Sequence, residues 1–101
     1  MARLIYARQA LSDLERLTDL LLESDAAAAA EIVDLIAEAV AVLRRHPLIG
    51  RPAEGELREL VISRGRSGYL ALYSYEAADN AVIILAIRHQ REAGYRDPSA
   101  G

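Results

Sequence analysis

No cysteine occurs in the 101 residues, which removes disulfide frameworks, thiolate metal sites and thiol nucleophiles from consideration. Histidine is almost as scarce: His46 and His89 stand far apart and form no metal signature. Lysine is missing, all 12 cations being arginine. A lysine base or phosphate anchor is therefore excluded, whereas the permanently charged arginine fork suits carboxylates and phosphates. No apolar run approaches the ~20 residues that span a bilayer. The opening Met1-Ala2-Arg3-Leu4-Ile5-Tyr6 is too short and too soon polar for a signal peptide, so a cytoplasmic protein with no membrane partner is expected.

What is present fits one globular domain: 52% of the residues are apolar, too many for a disordered chain. The net charge of −3 is unevenly spread. Residues 1–43 set Arg3, Arg8 and Arg16 against eight acids, while residues 44–101 hold nine arginines and seven acids. The molecule has an acidic half and a mildly basic half.

Residues 2–6 alternate weakly and predict a short strand at a sheet edge. From Ala7 the period changes: Ala10, Leu11, Leu14, Leu17, Leu20 and Leu21 recur at helical spacing with Asp13, Glu15 and Asp19 opposite, predicting a helix over 8–23. Ser24-Asp25 supplies an N-cap signal and the alanine run carries a second helix over 25–45. Arg44, Arg45 and His46 suit its carbonyl end, and Pro47 stops it. A connector with two prolines and two glycines follows over 47–55. Three runs rich in Val, Ile, Leu and Tyr, at 57–63, 69–75 and 81–88, read as consecutive antiparallel strands, leaving a tail over 89–101. The fold class is α+β, a small twisted antiparallel sheet against a helical hairpin.

In the middle strand Tyr69, Ala71, Tyr73 and Tyr75 share one face, and Leu70, Leu72 and Ser74 the other. Leucines gain most from burial and phenols tolerate water, so the leucine face is expected inward. Buried tyrosines with satisfied hydroxyls are the alternative. The densest polar cluster, Arg88, His89, Gln90, Arg91 and Glu92, follows the last strand, with Tyr95 and Arg96 close behind.

These residues carry a resemblance. RELVI at 58–62, SGYLALY at 67–73, AIRHQREAGY at 86–95 and the H-P-x-x-G-R-P turn at 46–52, in this order of elements, resemble the RelE/ParE superfamily of toxins from type II toxin–antitoxin and plasmid-stabilisation systems. The likeness covers nearly the whole chain. It implies a growth-inhibiting toxin held inactive in a complex with an antitoxin, and no cofactor or metal. It also implies one of two targets: DNA gyrase for ParE-like members, which are not nucleases, or mRNA on the ribosome for RelE-like endoribonucleases. A nuclease needs a base, an acid and cations on the developing phosphorane charge. The resemblance offers His89, Arg91, Tyr95 and Arg64 for those roles, although the sheet lysines of RelE-like enzymes have no counterpart. A pI near 5.3 disfavours gripping an RNA backbone, so the ParE-like reading is preferred. A non-toxic binding module of the same fold is a third reading. Target contact then falls to Arg88, His89, Arg91, Tyr95 and Arg96, and antitoxin contact to Leu17, Leu21 and Leu22, since Leu20, Leu21 and Leu22 in succession are one leucine more than one buried stripe needs. The same residues have plainer explanations. Arg88 and Arg91 can be solvated or paired with Glu92 and Asp97, and a lone histidine such as His89 is more often a packed residue than a catalyst.

Overall fold

The computed structural model of the chain describes residues 1–62 and 68–96. Strand β1 (Arg3–Tyr6) leads into helices α1 (Arg8–Leu22) and α2 (Ala26–Ala41), the second tightening into a 3-10 turn at Val42–Arg44. Strands β2 (Arg51–Pro52), β3 (Arg58–Ile62), β4 (Tyr69–Glu76) and β5 (Ala81–His89) follow. The sheet order is β1-β5-β4-β3-β2. The α+β architecture expected from sequence therefore forms, with two differences. The sheet is mixed, because β1 runs parallel to β5, which the helical crossover between them allows. The connector also contributes β2, a two-residue strand antiparallel to β3.

Local chemistry explains the element ends. Asp25 caps α2 by accepting from the Ala28 amide at 3.0 Å, as its position suggested. Ala7, the cap of α1, offers no side-chain bond. Asn80 adopts φ 47°, a left-handed turn that asparagine tolerates, and its Oδ1 accepts from the Tyr75 hydroxyl at 2.9 Å.

The edge of β5 is completed in two stages. Tyr6 is the last residue of β1 paired with it, opposite Ile84. Beyond that point α1 takes over with side chains: Asp13 Oδ2 accepts from the Ile87 amide at 2.8 Å, and Arg16 Nη2 donates to the Ile87 carbonyl at 3.3 Å. Asp13 is fully buried, although helical periodicity assigns it to the polar face.

The helices pack on the tyrosine face of β4, against expectation. Tyr69, Ala71 and Tyr73 join Ile62, Ile84 and Ile87 from the sheet and Leu17, Ile32, Ile36 and Val40 from the helices in one core. The reason lies in the hydroxyl of Tyr73, which accepts from the Gly50 amide at 2.9 Å and donates to the Pro47 carbonyl at 2.8 Å. With both bonds made, the larger ring can be buried without an orphaned polar atom. Leu72 faces the other way, at a bulge where it opposes Ala86 while Tyr73 opposes Ile84.

Candidate functional site

At the end of β5 the chain folds back on itself through Glu92. The Glu92 Oε1 accepts from the His89 amide at 2.8 Å, its other carboxylate oxygen pairs with Arg16 of α1, and its carbonyl accepts from Arg88 Nη1 at 2.8 Å. Arg88 in turn lies 5.0 Å from the centroid of the Tyr95 ring, a cation–π distance. The Tyr95 hydroxyl donates to Glu59 Oε2 at 2.6 Å, and Arg51 Nε donates to Glu59 Oε1 at 2.9 Å. A chain of contacts thus runs from Asp13 and Arg16 on α1, through Glu92, Arg88 and the neutral Tyr95, to Glu59 and Arg51 at the far edge.

This arrangement sorts the residues expected from sequence. Arg91 and Arg96 are exposed, whereas Arg88, His89 and Tyr95 are half-buried behind them. The cluster is contiguous, and the structure keeps it together. Glu92 is a partner of Arg88, but through its main-chain carbonyl; its carboxylate goes to Arg16. His89 stands edge-on to Tyr69 at 5.2 Å between centroids, and its Nδ1 accepts from the Arg91 amide at 3.1 Å. It is a packed, hydrogen-bonded histidine in this state. Arg64 and Asp97 lie outside the described residues. Among the leucines, Leu22 is 56% exposed, Leu21 packs against the core, and Leu17 is a core residue at 3%, so Leu17 presents no surface to a partner. Its place on the inward stripe of α1, opposite the sheet, is the reason. Arg16, Arg51 and Glu59 were missed as site residues, because nothing in their local sequence marks contacts made across the sheet.

Titration follows from this geometry. Burial acts to raise the Glu59 carboxyl, yet bonds from Tyr95 and Arg51 and the charges of Arg51 and Arg88 together hold it below its ordinary value of 4.5. Its stabilising share is complete above that value and is lost on acidification through the depressed one. Burial, then the bond and charge of Glu59, push the Tyr95 phenol far up, with Arg88 opposing. Burial also raises Tyr6, Tyr69 and Tyr73. A phenol kept protonated by folding contributes fully below its ordinary value of 10.0 and progressively less as pH rises past it. The melting temperature is accordingly expected to fall from about pH 10 upward; a melting series carried into alkali that stayed flat would contradict these buried phenols.

Among the described residues no helix is long and apolar enough to cross a membrane, and no group of three metal-ligating side chains is present. Comparison with known proteins places the chain among the small toxins of the RelE/ParE superfamily. A family model described as the ParE toxin of the type II toxin–antitoxin system parDE matches residues 4–94, and the chain belongs to that family. It is 36% identical over 84 residues to Toxin RelE3 of Caulobacter vibrioides, covering 83% of this chain and 89% of that one. A solved chromosomal ParDE system from P. aeruginosa superposes with TM-score 0.73 at 26% identity over 88% of this chain and 96% of that one. A chain of the RelBE2 complex from Mycobacterium tuberculosis gives TM-score 0.55 at 25% identity over 88% of this chain and 98% of that one.

Proposed function

We propose that this toxin arrests bacterial growth by poisoning DNA gyrase, and that a cognate antitoxin neutralises it in a hetero-oligomeric complex. The observation that carries the choice of target is the state of the candidate acid–base groups. Tyr95 is a donor to Glu59 with its phenol pushed up, so it is no proton acceptor near neutral pH, and His89 Nδ1 is occupied by the Arg91 amide. Exposed Arg91 and Arg96, with Arg88, His89 and Tyr95 set behind them, instead suit recognition of a protein surface. The likeness to the ParDE system supports the same reading. Antitoxin binding is supported by likeness to solved toxin–antitoxin complexes and by Leu11, Leu20 and Leu22, each more than half exposed along α1. Leu22, with Leu21 beside it, is the proposed antitoxin contact there.

The test sets a gyrase supercoiling assay beside cleavage of mRNA on programmed ribosomes. Purified protein is expected to inhibit supercoiling and to leave the message intact, and induced cells to filament with a DNA-damage response. Codon-boundary cuts with supercoiling unaffected would replace this reading by the endoribonuclease. Normal growth on induction would favour the non-toxic module.

A further inference from the structure

We infer that the groove where β1 gives way to α1 is a second antitoxin contact, which takes a bulky apolar side chain flanked by carboxylates. This rests on the reading that an antitoxin binds the chain. The groove measures about 420 Å³ and is lined by Leu72, Leu85, Ala86 and Tyr95, with Arg8 and Arg96 also on its wall. It owes its shape to two features already described. The strand β1 stops pairing at Tyr6, so that beyond it side chains of α1 rather than a strand complete the edge of β5, and the bulge opposite Leu72 offsets Leu85 and Ala86.

Charge selects the occupant. The chain carries a net charge of −3, yet both ionised side chains on this groove are cations. Arg8 and Arg96 are exposed, and neither forms an ion pair among the described residues. An apolar floor between two exposed guanidinium groups complements an apolar side chain with acids on either side. The floor is aliphatic, and the Tyr95 ring already carries the Arg88 guanidinium. A nucleobase would therefore find little aromatic surface to stack on, which favours a peptide over RNA.

Arg8 also contradicts its own helix. It is the first residue of α1, where the macrodipole favours anions, yet no acid stands in that first turn and Ala7 gives no cap bond. A cation there works against local stability, and a local rule broken without structural return marks a functional position. The groove and Leu22 lie at opposite ends of the 15-residue helix, on the order of 20 Å apart. An extended segment of about seven residues spans that distance, so one antitoxin tail can hold both sites and gain from the linkage.

The experiment measures calorimetric affinity for the purified cognate antitoxin, using the native chain, Arg8→Glu and Leu85→Gln. Melting and gyrase inhibition are read on each protein. Arg8→Glu is expected to melt at the same or a higher temperature, to inhibit gyrase as before, and to bind antitoxin about tenfold more weakly at low salt, a change of about 1.4 kcal/mol. Leu85→Gln is expected to weaken binding while keeping the native circular dichroism spectrum. Native-like affinity in both variants overturns the groove while leaving the antitoxin reading intact. Retained antitoxin affinity with lost gyrase inhibition overturns it in favour of a target contact. A native chain that does not bind the antitoxin ends the reading beneath it.

Discussion

Replacing Asp13 by alanine is expected to lower the unfolding free energy by about 3 kcal/mol, a large share of the roughly 5–15 kcal/mol available to a small domain. The carboxylate is fully buried and serves three donors: the Ile87 amide at 2.8 Å, Gln9 Nε2 at 2.9 Å and Arg16 Nη2 at 3.2 Å. Alanine strands a buried amide on β5 where no strand can replace the acceptor. It also removes one of two anions from Arg16, which keeps only Glu92 and the Ile87 carbonyl. Asparagine separates the two contributions, since its amide oxygen can still accept from Ile87 while the charge disappears. Asp13→Asn is expected to cost about 1 kcal/mol. Urea titration of the three proteins, with an unchanged m-value, is the measurement. Equal stability of Asp13→Ala and the native chain would show that the edge of β5 does not depend on this carboxylate.

Asp13 also marks where sequence reasoning stops. The α1 pattern is legible because apolar residues recur at helical spacing, and the Asp25 cap is legible because its acceptor lies three residues from its donor. An aspartate among Glu15 and Asp19 looks equally solvated. Its partner, however, is the amide of Ile87, far along the chain, and becomes available only because β1 pairs no further than Ile84. The same holds for the site. Residues 88–92 form a visible cluster because they are adjacent, whereas Arg16 and Glu59 join it through contacts that no local pattern encodes. The two-residue β2 was hidden inside a segment whose prolines and glycines signal a loop. The orientation of β4 was open for a different reason: both of its faces are apolar, so alternation fixes the strand but not its inward side. That choice was made by partners for one hydroxyl in the connector.

That hydroxyl gives the other large effect. Tyr73→Ala is expected to cost about 3–5 kcal/mol, the usual loss for an aromatic ring removed from a core, because the side chain is fully buried and holds the connector at Gly50 and Pro47. Tyr73→Phe isolates the polar part. It keeps the ring but strands the Gly50 amide and frees the Pro47 carbonyl, at about 1–3 kcal/mol. Gly50 tests the same contact from the other side. A Cβ there would stand 2.6 Å from both Tyr73 Cε1 and the Tyr73 hydroxyl and 2.9 Å from the Glu59 carbonyl, so Gly50→Ala must displace a ring with no room to move, at about 1–3 kcal/mol or more. Because both changes break one hydrogen bond, Gly50→Ala combined with Tyr73→Phe should cost less than the sum of the two. Strict additivity in denaturant unfolding would mean that Gly50→Ala does not act through this bond. Arg58 ties the same connector through the Leu48 and Gly50 carbonyls, and β2 directly after Gly50 carries the Arg51 that pairs with Glu59. Loosening at Gly50 therefore passes to Glu59 and from there to Tyr95. Faster hydrogen exchange in Tyr73→Phe is expected at β2 and β3 before it reaches β5, and exchange that rose first in α2 would place the hydroxyl's influence on the helices instead.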